Sequence, residues 1–140
     1  RDGKAVRVPS RPVRRADGRV LLDGELKPGE SVSYNRKGKI EKESTIATVR
    51  IGYADGYPRR LGNGIGKMMI KGKSASVIGT VCMDMTMLDI TGIADVREGD
   101  EVIVFGPTLS VVEVAKQSQT IAYELMTGIS QRVKRVYFEE

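Results

Sequence analysis

Short runs in which apolar residues are continuous or alternate with polar ones recur along the chain, and clusters of turn-forming residues separate them. Runs of this length and periodicity predict β-strands. Pairs such as Asp23-Gly24 and Lys71-Gly72 supply turns, because glycine adopts the positive φ that tight turns need. The strands predicted from this pattern cover residues 20–22, 45–51, 67–70, 76–81, 85–90, 101–105 and 132–138.

Many short strands in a small chain must close on themselves or pack face to face, because an open sheet edge exposes unpaired backbone groups. The pattern therefore predicts a mainly β fold, either a small β-barrel or a sandwich, with two short helices near the C-terminus. Neither an internal repeat nor a low-complexity segment interrupts it.

Two segments after residue 109 carry helix signals. Ser110 and Glu113 have the spacing of a capping box, which predicts a first helix that ends at about Gln117. A second short helix is predicted to start near Thr120 and to stop at Gly128, since glycine favours helix C-termini. The side chains that the second helix would turn towards the core are Ile121, Leu125 and Met126.

The composition is that of an ordinary globular protein, with 40% hydrophobic and 29% charged residues in 140 residues, enough for one domain with a buried core. No apolar run reaches the length that crosses a bilayer, and no signal peptide is recognisable, so we expect no membrane partner. The single cysteine, Cys82, leaves no intrachain disulfide, which suits a reducing cytoplasm.

Positive charge is concentrated at the start of the chain. Residues 1–20 contain seven Lys/Arg and two Asp/Glu, whereas residues 21–140 contain sixteen of each. A basic arm can bind nucleic acid, but the body is electrically balanced and its few aromatic residues lack the paired stacking arrangement of single-strand binders. We therefore favour a solvated segment that packs on another part of the protein, and we expect no nucleic-acid partner.

The absence of histidine removes several chemistries from this chain: Ser/His and Cys/His nucleophile pairs, imidazole acid–base catalysis and histidine-ligated metal sites. We expect no metal. Cys82 lies in an apolar run without a basic neighbour, which predicts an inert core thiol. The glycine-rich residues 62–67 lack the spacing and context of a phosphate loop. Five tyrosines remain as candidate proton carriers, although a lone surface tyrosine is more often amphipathic filler.

Five stretches of the chain form an ordered series: residues 29–34 (GESVSY), 51–59 (IGYADGYPR), 79–85 (GTVCMDM), 121–126 (IAYELM) and 132–137 (RVKRVY). In order, spacing and content the series resembles the motifs of alanine racemase C-terminal domains, which belong to pyridoxal phosphate enzymes of fold type III. The resemblance covers residues 26–140, while residues 1–25, a basic arm or strand, match less clearly.

The resemblance implies a racemase that interconverts L-alanine and D-alanine, which supplies D-alanine for peptidoglycan. In that family an N-terminal (β/α)8 barrel holds most of the pyridoxal 5'-phosphate and carries its lysine, and the β-domain of the other subunit of a homodimer closes the site. The implied partners are therefore an N-terminal barrel of the same enzyme, a second subunit and alanine. Because no residue here matches the lysine segment, these 140 residues alone are expected to be inactive.

The family's residue roles fall on five positions. Tyr34 is implied as the catalytic proton carrier on the face opposite the lysine, and an ordinary tyrosine pKa of about 10 means that the assembled site must favour the phenolate. The resemblance implies that Tyr123 binds the cofactor phosphate and that the backbone amide of Met83 binds the substrate carboxylate. Tyr53 and Arg59 are implied to line the narrow substrate access channel.

One position departs from the family pattern: many members have arginine where this chain has Thr80. The hydrogen-bond network of the channel must therefore differ here.

An alternative function is a non-catalytic dimerisation or binding module that keeps the β-fold. The presence of Tyr34, Met83 and Tyr123 together favours the catalytic interpretation.

Overall fold

The computed structural model describes residues 20–32, 38–137 and 139. Residues 1–19 of the predicted basic arm and Tyr34 lie outside the described residues. The strands and α-helices are β1 (Val20–Leu26), β2 (Ser31–Val32), β3 (Gly38–Lys39), β4 (Ser44–Val49), β5 (Lys67–Ile70), β6 (Lys73–Val77), β7 (Thr86–Asp89), β8 (Val102–Ile103), α1 (Val111–Gln117) and α2 (Ala122–Thr127).

The main sheet has six strands in the order β1-β4-β7-β6-β5-β8, and β2 pairs with β3 separately. Neighbouring strands of the sheet are antiparallel. In the part of the chain that the structure describes, β1 and β8 are the two ends of the sheet and do not pair with each other. The predicted mainly β fold with two short helices is confirmed. The sheet is not closed, so the small domain is sandwich-like.

The larger hydrophobic cluster contains buried residues from the five strands β4, β5, β6, β7 and β8 and from both helices. Val114 of α1 and Leu125 of α2 are among its members. In β5, Met68 and Ile70 are buried while Lys67 is exposed, as the alternation of a strand requires. Full burial of one such side chain contributes about 1.5–3 kcal/mol relative to exposure. The helices are therefore held against the sheet mainly by apolar contacts from a few positions each.

Helix α1 begins where it was predicted, and the Ser110 side chain accepts a hydrogen bond from the Val112 amide at 3.2 Å. Helix α2 also matches its predicted place, but only part of its predicted core face is correct. Leu125 is buried, whereas Ile121 is 63% and Met126 43% exposed. Ile121 precedes the first turn of the helix and has an extended backbone, so its side chain does not lie on the core-facing side of α2 with that of Leu125. Met126 follows Leu125 by one residue and points about 100° away around the helix.

The strand predicted over residues 132–138 is wrong within its described part, because residues 132–137 pair with no strand. Its arginines bind carboxylates and loop carbonyls instead of alternating across a sheet. The strand predicted over residues 76–81 is also shifted: β6 begins directly after the turn at Lys71 and Gly72 and ends before Gly79, whose φ is +71°. No helix among the described residues is long and apolar enough to span a membrane.

Candidate functional site

A 3-10 turn at Tyr53–Asp55 packs against the loop between β6 and β7 through its backbone. The Tyr53 amide donates to the carbonyl oxygen of Cys82, and the Ala54 amide donates to that of Met83, both at 3.0 Å. Gly52 permits this approach, because a Cβ there would lie 2.2 Å from the Cys82 carbonyl oxygen. The two stretches therefore form one unit in which the Tyr53 and Met83 backbones are neighbours.

Both of these predicted site residues present their side chains to solvent, Tyr53 with 39% and Met83 with 47% exposure. The loop at Met83 is a tight turn, closed by a 3.0 Å hydrogen bond from the Cys82 amide to the Met85 carbonyl. Among the described residues, the Met83 amide itself has no acceptor. A backbone N–H that projects from a turn without a partner can bind an anionic oxygen.

Three charged side chains from three separate stretches meet behind this turn, and we call them the arginine bridge: Arg132, Asp55 and Asp84. Nε of Arg132 donates to Oδ1 of Asp55, and Nη2 of Arg132 donates to Oδ1 of Asp84, each at 2.5 Å. The Asp55 side chain is fully buried, while those of Arg132 and Asp84 are about one-third exposed. Hydrogen bonds first from Asp55 and then from Asp84 raise the pKa of the Arg132 guanidinium above its usual value.

The buried Asp55 has further partners that fix the turn. Its Oδ2 accepts a hydrogen bond from the Gly52 amide at 2.8 Å, and its backbone carbonyl accepts one from the Ser130 amide at 3.0 Å. Gly56 next to it lies so close to Gly128 that a Cβ would be 2.5 Å from the Gly128 carbonyl oxygen. The end of α2 and the C-terminal segment are therefore anchored on the turn that carries Tyr53.

The C-terminal segment is itself braced by Arg135, which donates to the carbonyl oxygens of Ile129, Ser130 and Val133 at 3.1–3.3 Å. The Arg132 amide also bonds to the Ser130 hydroxyl at 3.3 Å. These contacts hold the backbone that carries Arg132 in a fixed non-helical path. The segment without regular structure thus has its own hydrogen-bond scaffold.

Tyr123 lies on α2 and is 74% exposed. Its phenol has no hydrogen-bond partner among the described residues. Leu125, two residues later, is buried and fixes the helix on the core. Tyr123 is therefore a phenol held on an anchored helix and directed away from the core, where it is accessible to another molecule or domain.

Arg59 is exposed at the start of the second 3-10 turn, Arg59–Leu61. Its neighbour Arg60 donates from Nη1 to Oε1 of Gln119 at 2.8 Å, in the connection between α1 and α2. The turn with Arg59 and the segment that leads to Tyr123 are thereby joined. The structure brings the backbones of Tyr53 and Met83 together directly, whereas Arg59 is connected to α2 only through its neighbour Arg60.

Three further residues that the sequence analysis considered are buried. Cys82 is buried, with its Sγ 3.6 Å from the Thr80 carbonyl oxygen, as expected for a core thiol. Thr80, at the departure from the family pattern, is also buried. Tyr57 is buried as well, its hydroxyl has no hydrogen-bond partner among the described residues, and burial raises the pKa of this phenol. Tyr57 is therefore a core residue and not a member of the site.

Sequence reasoning missed the arginine bridge. Its three members lie within stretches 51–59, 79–85 and 132–137, but nothing in the local pattern indicates that they meet. The available signal was the presence of a charged residue in each of these stretches. They are Asp84 directly after Met83, Asp55 two residues after Tyr53, and Arg132 at the start of the last stretch.

The fold and the site define a mainly β domain that presents a backbone amide and several exposed side chains from anchored loops. The sequence profile of the alanine racemase C-terminal domain matches residues 13–137. The chain belongs to this family.

Three relatives show the extent of the similarity. Alanine racemase of Citrifermentans bemidjiense is 45% identical over 136 residues, which cover 93% of this chain and 36% of that protein. The crystal structure of biosynthetic alanine racemase from Pseudomonas aeruginosa has a TM-score of 0.82 and 37% identity, over 86% of this chain and 34% of that one. That of alanine racemase from Bartonella henselae with covalently bound pyridoxal phosphate has a TM-score of 0.82 and 33% identity, over 86% and 33% of the two chains. The chain therefore spans about a third of the length of these relatives.

Proposed function

We propose that this chain is the domain of an alanine racemase that completes the active site of a partner subunit and supplies one of two proton carriers. The observation that carries the proposal is the family match over residues 13–137, combined with an exposed unit in which Tyr53 and Met83 are adjacent. The reaction would interconvert L-alanine and D-alanine and so supply D-alanine for peptidoglycan.

Met83 is proposed to bind the substrate carboxylate through its backbone amide. Support comes from the turn at Cys82, which leaves this amide without an acceptor among the described residues while the Met83 carbonyl is held by Ala54. A fixed amide that is free to donate can orient a carboxylate, because hydrogen bonds to an anionic oxygen are short and strong. Tyr53 and Arg59, both exposed, are proposed to line the route by which the small substrate enters.

Tyr123 is proposed to hydrogen-bond the phosphate of pyridoxal phosphate. Its exposed phenol, unpartnered within the described residues, fits a phosphate oxygen as acceptor. The cofactor, when bound, withdraws electrons from the α-carbon and so makes its proton removable. Most of its binding, including the lysine, is proposed to come from an N-terminal barrel.

Tyr34 is proposed as the proton carrier that acts on the face opposite the lysine. It would take the proton from L-alanine and return one in the reverse direction. The residue lies outside the described residues, and its role rests on its place at the end of residues 29–34. A homodimer is proposed, because Tyr34 and Met83 would serve the site of the other subunit. These 140 residues alone would then racemise no alanine.

The test uses the full-length enzyme that carries this domain, with Tyr34→Phe and, as a matched control, Tyr57→Phe. Loss of a positioned acid–base group costs about 10²–10⁴-fold in rate, so Tyr34→Phe should lose racemisation by about that factor. Tyr57→Phe removes a buried hydroxyl that has no hydrogen-bond partner in the part of the chain that the structure describes, and it should keep the activity. Racemisation is followed by circular dichroism of alanine, starting from each enantiomer.

A second readout separates a lost proton carrier from a lost active site. In deuterated water, exchange of the α-proton of D-alanine needs only the lysine face, so Tyr34→Phe should retain this exchange while inversion fails. Retained racemisation in Tyr34→Phe would refute the role of this tyrosine. Wild-type enzyme without alanine racemisation would refute the proposed function as a whole.

A further inference from the structure

The arginine bridge connects the two loops on which the proposed substrate contacts depend. Asp55 belongs to the 3-10 turn that starts with Tyr53, and Asp84 directly follows Met83. Arg132 contacts both carboxylates through different nitrogens. A planar guanidinium can hold two carboxylates in fixed directions at once, whereas an ammonium offers a single point of contact.

We propose that Arg132 is a positioning residue, which acts through Asp84 to fix the turn at Met83 so that its backbone amide meets the substrate carboxylate. This inference rests on the proposed function. Arg132 does not touch the substrate in this scheme. It determines where the Met83 peptide lies.

The contacts on either side of the Met83 peptide support this role. The Met83 carbonyl is held by the Ala54 amide at 3.0 Å, and within the described residues the Asp84 side chain has Arg132 as its partner. The Tyr53 amide also holds the Cys82 carbonyl at 3.0 Å. The turn therefore has two backbone anchors before Asp84 and a side-chain anchor at Asp84. Loss of the side-chain anchor would let the Met83 peptide tilt about the two backbone hydrogen bonds.

Burial gives Arg132 a fixed position from which to act. The fully buried carboxylate of Asp55 also binds the Gly52 amide, so it cannot move without breaking the 3-10 turn. Arg132 is thus held in place by the buried Asp55 on one side. On the other side its hydrogen bond restricts the position of the partly exposed Asp84. The bracing of the backbone by Arg135 leaves Arg132 little freedom to follow a displaced Asp84.

Two substitutions in the full-length enzyme release the turn in different ways. Arg132→Lys keeps a positive charge for the buried Asp55 but cannot reach both carboxylates with separate nitrogens. Asp84→Ala removes the partly exposed partner and leaves the Arg132–Asp55 pair intact. Arg132→Lys keeps the negative charge of Asp84 beside Met83, whereas Asp84→Ala removes it. An effect that both variants share therefore results from the altered position of the turn and not from the altered charge.

The matched control is Asp100→Ala, which removes another partly exposed carboxylate that binds a cation, Lys71 at 3.5 Å, and a backbone amide, that of Arg97. It lies in the turn before β8, and within the described residues its side-chain partners, Lys71 and Arg97, are not members of the arginine bridge. Any effect that Asp84→Ala and Asp100→Ala share is a general loss of stability.

The readouts are kcat and KM for alanine, together with the inhibition constant of propionate, a probe that offers the carboxylate without the amine. A weakened hydrogen bond to a charged group corresponds to a factor of about ten. Arg132→Lys and Asp84→Ala should each raise KM and the propionate constant about tenfold, with kcat changed by less than about threefold, since uniform binding is lost. Asp100→Ala should change none of the three.

Unchanged KM and propionate constants in Asp84→Ala would overturn the inference, and so would an equal effect in Asp100→Ala. An increase in Arg132→Lys alone would also overturn it, because it would show that Arg132 does not act through Asp84. These results are distinguishable from failure of the proposed function, in which the wild-type enzyme itself does not racemise alanine.

Discussion

Substitution of Gly52 by alanine tests the close approach on which the Tyr53–Met83 unit depends. The φ of Gly52 is −146°, an extended value that any residue adopts, so alanine brings no backbone strain of its own. The added Cβ would instead lie 2.2 Å from the carbonyl oxygen of Cys82 and 2.4 Å from that of Met83. Because both atoms are backbone, no side chain can rotate away, and the two stretches must separate.

The size of the effect follows from the hydrogen bonds that cross this contact. A separation of roughly 1 Å takes bonds of ordinary length out of bonding range. The amides of Tyr53 and Ala54 would then lose their acceptors, at about 1 kcal/mol each. The hydrogen bond from Arg132, held on the turn by Asp55, to Asp84 also crosses the contact, and because both side chains are about one-third exposed its loss costs up to about 1 kcal/mol. We expect a loss of about 3 kcal/mol in the free energy of unfolding.

Urea denaturation of the 140-residue chain, followed by far-ultraviolet circular dichroism, measures this loss. Gly72→Ala is the control, because Gly72 has a φ of +73° and open space around its Cβ position. It should cost only the left-handed penalty of about 1–2 kcal/mol. A Gly52→Ala variant that is within about 1 kcal/mol of wild type would refute the steric argument, as would a Gly72→Ala variant with the larger loss.

Two further substitutions test individual groups in the same assay. Tyr57→Phe should leave the free energy of unfolding unchanged or raise it by up to about 1–3 kcal/mol, because it removes a buried hydroxyl that is unpartnered within the described residues; a clear loss of stability would contradict this. Asp100 has a pKa lowered first by its hydrogen bond from the Arg97 amide, so its stabilising effect is present above the unfolded pKa and fades as pH falls through the folded one. Asp100→Asn should therefore reduce stability at pH 7 and flatten the acid limb below about pH 4, and an unchanged pH profile would contradict this.

The strand best predicted from the sequence is the one whose signals are local. For β5 the predicted bounds are those observed, Lys67–Ile70, because a glycine precedes it and the Lys71-Gly72 turn follows it. Residues 132–137 have the same alternation of apolar and charged residues but form no strand. Arg132 instead binds the carboxylates of Asp55 and Asp84, which lie far away in the sequence, and no local pattern reports such partners.

The candidate site was predictable one residue at a time and not as an arrangement. Motif resemblance singled out Tyr53 and Met83, but their adjacency depends on backbone bonds between stretches 29 residues apart in the sequence. Arg132 and Asp55 are separated by 77 residues. Contacts of this range are decided by the packing of the whole sheet, so the arginine bridge became visible only in three dimensions.

Residues 129–137 belong to no strand or helix, yet they bind the buried Asp55 carboxylate and brace their own backbone. A domain boundary drawn where regular secondary structure ends would cut the chain after α2 and leave a buried negative charge without its cation. For protein engineering, the indispensable core of this domain therefore extends at least to Arg135. Affinity tags or fused partners belong beyond that residue, where the side chains of Val136 and Tyr137 already face solvent.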